Sequence, residues 1–483
     1  MPTPEFRWIR YTVERSHLPA LRGLTFLAAP ELVEAPTVIE LPDLTDYPTP
    51  IQKAEVLLHG AAEVEHALLV QYLYAAYSLR NERDPEKETD QQRLDQLRQW
   101  RGTIVEIAKE EMGHLLSVQN LLLLLGLPLS LEREEMPPRK KLFPFPLNLE
   151  PLSRLSLAKY VVAEAPPDAE GIEDIVKLAT GAAGQAINHV GVLYALLGLV
   201  LTKEGDLDKH STRGAWYKIV KDIGQLAFKQ QIPAFWHLPD TAFHPDSFDQ
   251  QAKISDDEWP VRNAEILILN AHNRDEALEA LSKISTQGEG AGIEDNSHFE
   301  RFLAAFRGSA SPAMPAPPFP GDADWQPART VPVNPRVPKD GTPISPGDIT
   351  HPTTLKLARL ADLRYALLLG YLEHSLLVRG ADRSFLIIQA IYEMSAQIRL
   401  LARELVTKPL RPEGSGFAGP PFTPPPLSEL HLPPKPEDDR ERWGLHQKRL
   451  QQAIQLATIL GRNTDTDQTT LAEIAKHLTI NTH

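Results

Sequence analysis

Residues 100–128, WRGTIVEIAKEEMGHLLSVQNLLLLLGLP, limit the fold more than any other stretch, because they set an acid and an imidazole on the buried side of an apolar helix. Ile104, Ile107, Ala108, Glu111, Leu115, Val118 and Leu122 recur at helical spacing, so Glu111 falls inside the apolar stripe. His114 lies one turn further on the same side. A carboxylate and an imidazole three positions apart are how helix bundles hold iron or manganese in their core, and a buried ion pair is the other use of that spacing. What the other helices supply decides between the two.

Residues 51–79 read as a second helix, with Leu58, Ala61, Ala62, Glu65, Leu69, Tyr72 and Ala76 on one side and Glu65 again within the stripe. Asp295 and His298 repeat the acid-x-x-His spacing at the start of a later helix. Two such pairs and a lone buried Glu are most of a carboxylate-bridged two-metal site, whose usual set is two lone carboxylates and two pairs. Mixed imidazole and carboxylate donors suit iron or manganese, whereas calcium takes oxygen alone. Burying those carboxylates without a cation carries a heavy desolvation cost or forces protonation. Each residue also has a plainer use: Asp295 as a helix cap, His298 as a surface imidazole, and Glu289 as a solvated group between two glycines. His66 points elsewhere on its helix, and Glu63, Glu106 and Glu110 read as a solvated face.

Composition narrows the chemistry. The 483 residues contain no Cys, which excludes disulfides, thiolate-bound haem, cysteine-ligated clusters and a cysteine nucleophile. A net charge of -14 without a basic stripe argues against a nucleic-acid partner. The N-terminus has no apolar core of signal-peptide length, and no run of eighteen apolar residues is free of polar interruption. The expectation is a cytoplasmic protein without a membrane partner. Neither a Gly-x-Ser-x-Gly elbow nor a His-Glu-x-x-His motif is present, so a metal-independent hydrolase lacks support.

The predicted fold class is mainly α, a four-helix bundle core with additional C-terminal helices and long proline-rich connections. Residues 1–50 form a covering arm with a brief strand at 37–41, and residues 51–308 form the bundle carrying the metal-site motifs. Within it, helices are expected at 155–164, 172–201, 215–231, 275–284 and 295–306, a strand at 264–269, and a turn at 287–290. Residues 309–350 are a proline-rich linker. Residues 351–483 are a C-terminal helical region packed on the bundle, with helices near 354–378, 384–406, 441–460 and 470–478.

Three runs resemble a known family: AEVEHALLVQYLYAAYSL, EIAKEEMGHLLSVQNLLLLLGLP and ISTQGEGAGIEDNSHFERF. In this order they are similar to the ferritin-like domain of the iminophenyl-pyruvate dimer synthase family, and GFAGPPF at 416–422 resembles its C-terminal part. The resemblance covers roughly residues 50–425. It implies a metal-dependent oxidoreductase of secondary metabolism, akin to enzymes that oxidatively couple aromatic imino acids. Glu65, Glu111, His114 and His298 fall on the family's ligand positions, and Asp295 stands where the family generally has Glu. The third-helix carboxylate of the family is Val192 here, so unless His189 or Glu164 replaces it the site is one ligand short. The expected cofactor is thus iron or manganese, one or two ions per chain.

If metal binds, Glu65, Glu111, Asp295, His114 and His298 are the expected ligands and Glu289 the catalytic acid–base candidate. The expected partner is a small-molecule substrate compatible with an aromatic one, and a homo-oligomer is allowed. The alternative is a non-catalytic ferritin-like scaffold or metal-binding protein with a degenerate site, which Val192 favours.

Overall fold

A computed structural model of the chain describes residues 8–13, 37–81, 88–136, 145–166, 169–181, 189–203, 205–229, 237–253, 266–289, 296–308, 318–320, 325–338, 343–414 and 416–461. Two strands come first, β1 (Trp8–Val13) and β2 (Thr37–Pro42), paired antiparallel with Trp8 opposite Pro42. The other regular elements among the described residues are helices.

Helix α1 (Pro50–Ser78) starts where Thr49 and Gln52 exchange side-chain and backbone hydrogen bonds, with Pro50 supplying the fixed φ of a first turn. Helix α2 (Gln91–Leu124) starts at Asp90, whose carboxylate accepts from Arg93 N–H. It stops at Gly126, whose φ of +63° lets Leu127 N–H reach back to Leu122 O at 2.9 Å. Helix α3 (Arg154–Ala163) is capped by Ser153 and followed by α4 (Glu173–Thr180), α5 (His189–Leu201), α6 (Ala215–Lys229), α7 (Arg274–Glu289) and α8 (His298–Arg307). Helix α1 packs on α2 and α5, while α7 packs on α5 and α2, which closes a ring of four helices. Helix α8 lies against α2, α3 and α7, and α6 against α5.

A second group is built on α9 (Pro352–Leu377), which carries α10 (Ala381–Tyr392), a π-helical turn (Glu393–Ile398), α11 (Arg399–Leu405) and, after the short α12 (Leu427–Leu430), α13 (Asp439–Gly461). Side chains tie the two groups together: the Tyr365 hydroxyl bonds His66 Nε2 from the bundle and accepts from Arg133 Nε at 3.1 Å. The described prolines of 325–338 wrap the end of α1, where Arg80 N–H donates to Pro327 O and Arg329 N–H to Ser78 O. Backbone carbonyls that the helix end leaves open are thereby satisfied. Among the described residues one helical run, Ala381–Leu405, is long and apolar enough by composition to cross a membrane; more than half of it is buried, and its Glu393 lies 2.9 Å from Arg364.

Four expectations are corrected. The run expected as one helix over 172–201, looser near Gly181 and Gly184, is two, because Gly181 ends α4 at φ +70°. Residues 266–270, the described part of AEILIL and its successor, form no strand. They run along α2 and satisfy their backbone there: Leu269 N–H donates to Ser117 Oγ at 2.8 Å, and Asn120 Nδ2 donates to Leu269 O at 2.9 Å. The expected turn at 287–290 is helix through Glu289. Glu63 and Glu110 lie buried, not on a solvated face, because α1 and α2 are covered on several sides. The helix expected at 470–478 lies outside the described residues.

The close passage of 266–270 over α2 is what Gly113 permits. A Cβ there would stand 2.6 Å from Leu267 O and 3.1 Å from Ile266 Cγ2. Gly113→Ala is expected to lower the unfolding free energy by about 1–3 kcal/mol through overpacking, read as a shift in denaturant midpoint. An unchanged midpoint would show that the segment yields freely.

Candidate metal centre

Local structure brings five ligand-bearing side chains to one place. Glu65 comes from the middle of α1, and Glu111 and His114 from the middle of α2. Glu164 is the C-cap of α3, followed at once by Ala165 and Pro166, which fix where the carboxylate leaves the helix. His298 is the first residue of α8. Asn296 holds φ +114°, uncommon for a side-chain-bearing residue, and Ser297 Oγ accepts from Glu300 N–H, so the chain turns sharply and delivers His298 inward.

All five are buried, none more than 4% exposed. One ligand atom each from Glu65, Glu111 and His114 lie within 4.8 Å of one another, and so do atoms from Glu111, Glu164 and His298. Glu111 belongs to both sets. Its Oε2 is 3.2 Å from His114 Nδ1, and its Oε1 is 2.9 Å from His298 Nδ1. Glu65 Oε2 stands 3.3 Å from His114 Nδ1, and Glu164 Oε2 stands 3.6 Å from His298 Nδ1. The two imidazoles stack with centroids 5.4 Å apart.

The outward-facing atoms of these groups are held. His114 Nε2 bonds Gln287 Oε1 at 2.9 Å, and His298 Nε2 bonds Glu110 Oε2 at 2.8 Å. Arg301 donates to both oxygens of Glu110. The Tyr194 hydroxyl donates to Glu65 Oε1 at 2.5 Å, and the Tyr72 hydroxyl donates to Glu164 Oε1. Of the inward-facing atoms, His114 Nδ1 and Glu111 Oε2 bond each other at 3.2 Å, whereas Glu65 Oε2, Glu111 Oε1 and His298 Nδ1 are buried and lack the alignment of a hydrogen bond with anything around them. Buried polar atoms of native proteins are nearly always satisfied, so atoms that converge without bonding each other fit a cation between them. The donor set, two imidazole nitrogens and three carboxylates, fits iron or manganese.

Without a cation, protons and charges take up the strain. Burial pushes Glu65 up to about 7, the Glu111 charge adding to it against the pull of His114. Burial alone would lower His114, but the Glu111 and Glu65 carboxylates beside its Nδ1 outweigh that and raise it to about 10. His298 is likewise raised well above its ordinary value by the Glu111 charge and the Glu110 bond, against burial. Burial would raise Glu110, yet His298 and Arg301 bring it down to about 2.

Of the residues singled out by spacing, Glu65, Glu111, His114 and His298 are thus brought together. Asp295 lies outside the described residues, as do the side chains of Glu289 and His189, whose backbones end α7 and begin α5. Val192 is buried apolar core, and the carboxylate absent from α5 is supplied from α3 by Glu164. Spacing does not mark Glu110, Arg301, Gln287, Tyr72 or Tyr194 as parts of the site. The apolar run around Glu164 is the signal the sequence offers for that acid; Glu110, between Lys109 and Glu111 with Glu106 and His114 one turn away, and the neutral Gln287 carry none.

A family model described as ferritin-like matches residues 58–307. No curated protein and no solved structure matches the chain.

Proposed function

We propose that this chain, which belongs to the ferritin-like family, is a metal-dependent oxidoreductase that holds two iron or manganese ions with Glu65, Glu111, His114, Glu164 and His298. The observation that carries this reading is the pair of ligand sets sharing Glu111, with three inward-facing polar atoms left unsatisfied. These residues would hold ions that, bound in the reduced state, would supply electrons to dioxygen or peroxide.

The chain's own residues do the rest. Glu111 directs one oxygen to each half of the site. His114 and His298 present Nδ1 inward because Gln287 and Glu110 occupy Nε2. Tyr194 and Tyr72 each fix the outer oxygen of a carboxylate, leaving the inner oxygen free to bind. Glu289, two positions past Gln287 on α7, is our acid–base candidate for moving a proton to or from substrate. The resemblance of the three sequence motifs to the iminophenyl-pyruvate dimer synthase family favours an aromatic imino acid as substrate and a role in secondary metabolism. A cytoplasmic location fits that role.

A metal-free buried charge network is the second reading, favoured by the pairing of charge: protonated His114 and His298 and the Arg301 guanidinium face Glu110, Glu111 and Glu164, with Glu65, raised to about 7, as a fourth, partly protonated acid. Elemental analysis of protein reconstituted with iron(II) or manganese(II) separates the two. Roughly two ions per chain is the expected result for a site of this inventory. No bound ion, with a melting temperature indifferent to chelator, would leave a scaffold.

A further inference from the structure

The two halves of the site match in almost every part. Each has one imidazole, one private carboxylate, a tyrosine hydroxyl on that carboxylate's outer oxygen, and one oxygen of Glu111. They differ in what stands behind the imidazole. Behind His114 is the neutral amide oxygen of Gln287 at 2.9 Å; behind His298 is the carboxylate of Glu110 at 2.8 Å.

A carboxylate accepting the Nε2–H draws that proton further from the ring than an amide does, and so leaves more electron density on Nδ1. Arg301 works in two ways. Its charge offsets part of the Glu110 charge, but it is the Glu110 carboxylate, at 2.8 Å, that accepts from the ring, and Arg301 acts on the ring through that carboxylate. Its grip on both oxygens also keeps Glu110 from rotating away. Helix α8 carries His298 and Arg301 three positions apart, so ligand and clamp move as one piece.

We infer that the two metal positions are unequal, and that the one formed by Glu111, Glu164 and His298 binds its ion more tightly and fills first, with Glu110 and Arg301 as positioning residues. The position of Glu65, Glu111 and His114 then takes the second, more exchangeable ion. This inference rests on the metal-binding reading and deepens it.

The test is a titration of full-length, metal-free protein with manganese(II), following the free ion by its paramagnetic resonance at fixed pH. Two steps are expected, the first about 10- to 100-fold tighter than the second, the range over which such backing groups act. Glu110→Gln gives both halves an amide, and is expected to weaken the first step about tenfold or more while leaving the second in place. Gln287→Glu, at a half-buried position, puts a carboxylate behind His114 and is expected to tighten the second step. His114→Ala should keep the tight ion and His298→Ala should lose it. Two equal steps in the unaltered protein, or a tight ion retained by His298→Ala, would overturn the inference while leaving metal binding intact. No ion bound at all would overturn both.

Discussion

Glu111→Ala is expected to empty both metal positions at once, whereas Glu65→Ala and Glu164→Ala each empty one. The difference follows from where the oxygens point. Glu65 and Glu164 each belong to a single set, but Glu111 sends Oε2 toward His114 and Oε1 toward His298. Losing it leaves each position with one imidazole and one carboxylate, too few protein donors to hold an ion against water and desalting. Elemental analysis after reconstitution should give about two ions for the unaltered chain, about one for either single-set variant and close to none for Glu111→Ala, if Glu111 bridges. Truncation also strips two buried imidazoles of a carboxylate within 3.2 Å of Nδ1, and breaking a buried pair from one side costs on the order of 3–5 kcal/mol. Glu111→Gln keeps the volume and separates metal loss from collapse. A variant lacking Glu111 that still held one tight ion would show that the two sets do not share it.

The four-helix core was legible because its helices are long and apolar and carry acids within their buried stripes, a pattern only a bundle interior explains. Glu65 and the Glu111–His114 pair could be read from that periodicity. The reading failed where one face was assumed per helix. Helix α2 is covered by α1, α7, α8 and the 266–270 segment, so Glu110, about 100° around from Glu111, is as buried as its neighbour and reaches His298. Glu164 was harder to find, since it sits at a helix end outside the ring of four and follows no spacing rule; only its place among Val161, Val162, Ala163 and Ala165 marks it. The 264–269 run has the apolar, β-branched look of a strand. It pairs with the side chains of α2 instead, because Ser117 and Asn120 offer it the bonds that a second strand would have offered.

Metal affinity is expected to rise steeply with pH, and the stabilisation that metal confers should rise with it. In the ion-free protein, Glu111 and Glu65 outweigh burial and hold His114 protonated up to about 10, and His298 is held charged well above its ordinary value. An ion needs the Nδ1 lone pair of each, so each position expels a proton on loading, and its apparent affinity falls about tenfold for each unit of pH lost. Below about 7 Glu65 is protonated as well, so its position must shed a second proton and its dependence steepens there. The stability of the ion-free fold runs the other way. His114 has a folded value above its ordinary 6.5, so its contribution is complete below 6.5 and disappears as pH climbs through about 10. The loaded protein has already given up that proton and has no such loss. Melting temperatures taken with chelator and with manganese(II) at about pH 6 and about pH 9 should therefore diverge, the gap widening at the higher pH. Calorimetric titration in buffers of different ionisation enthalpy counts the protons directly. A gap and an affinity indifferent to pH would mean that both imidazoles are already neutral, and the carboxylates around them would then need another counter-charge.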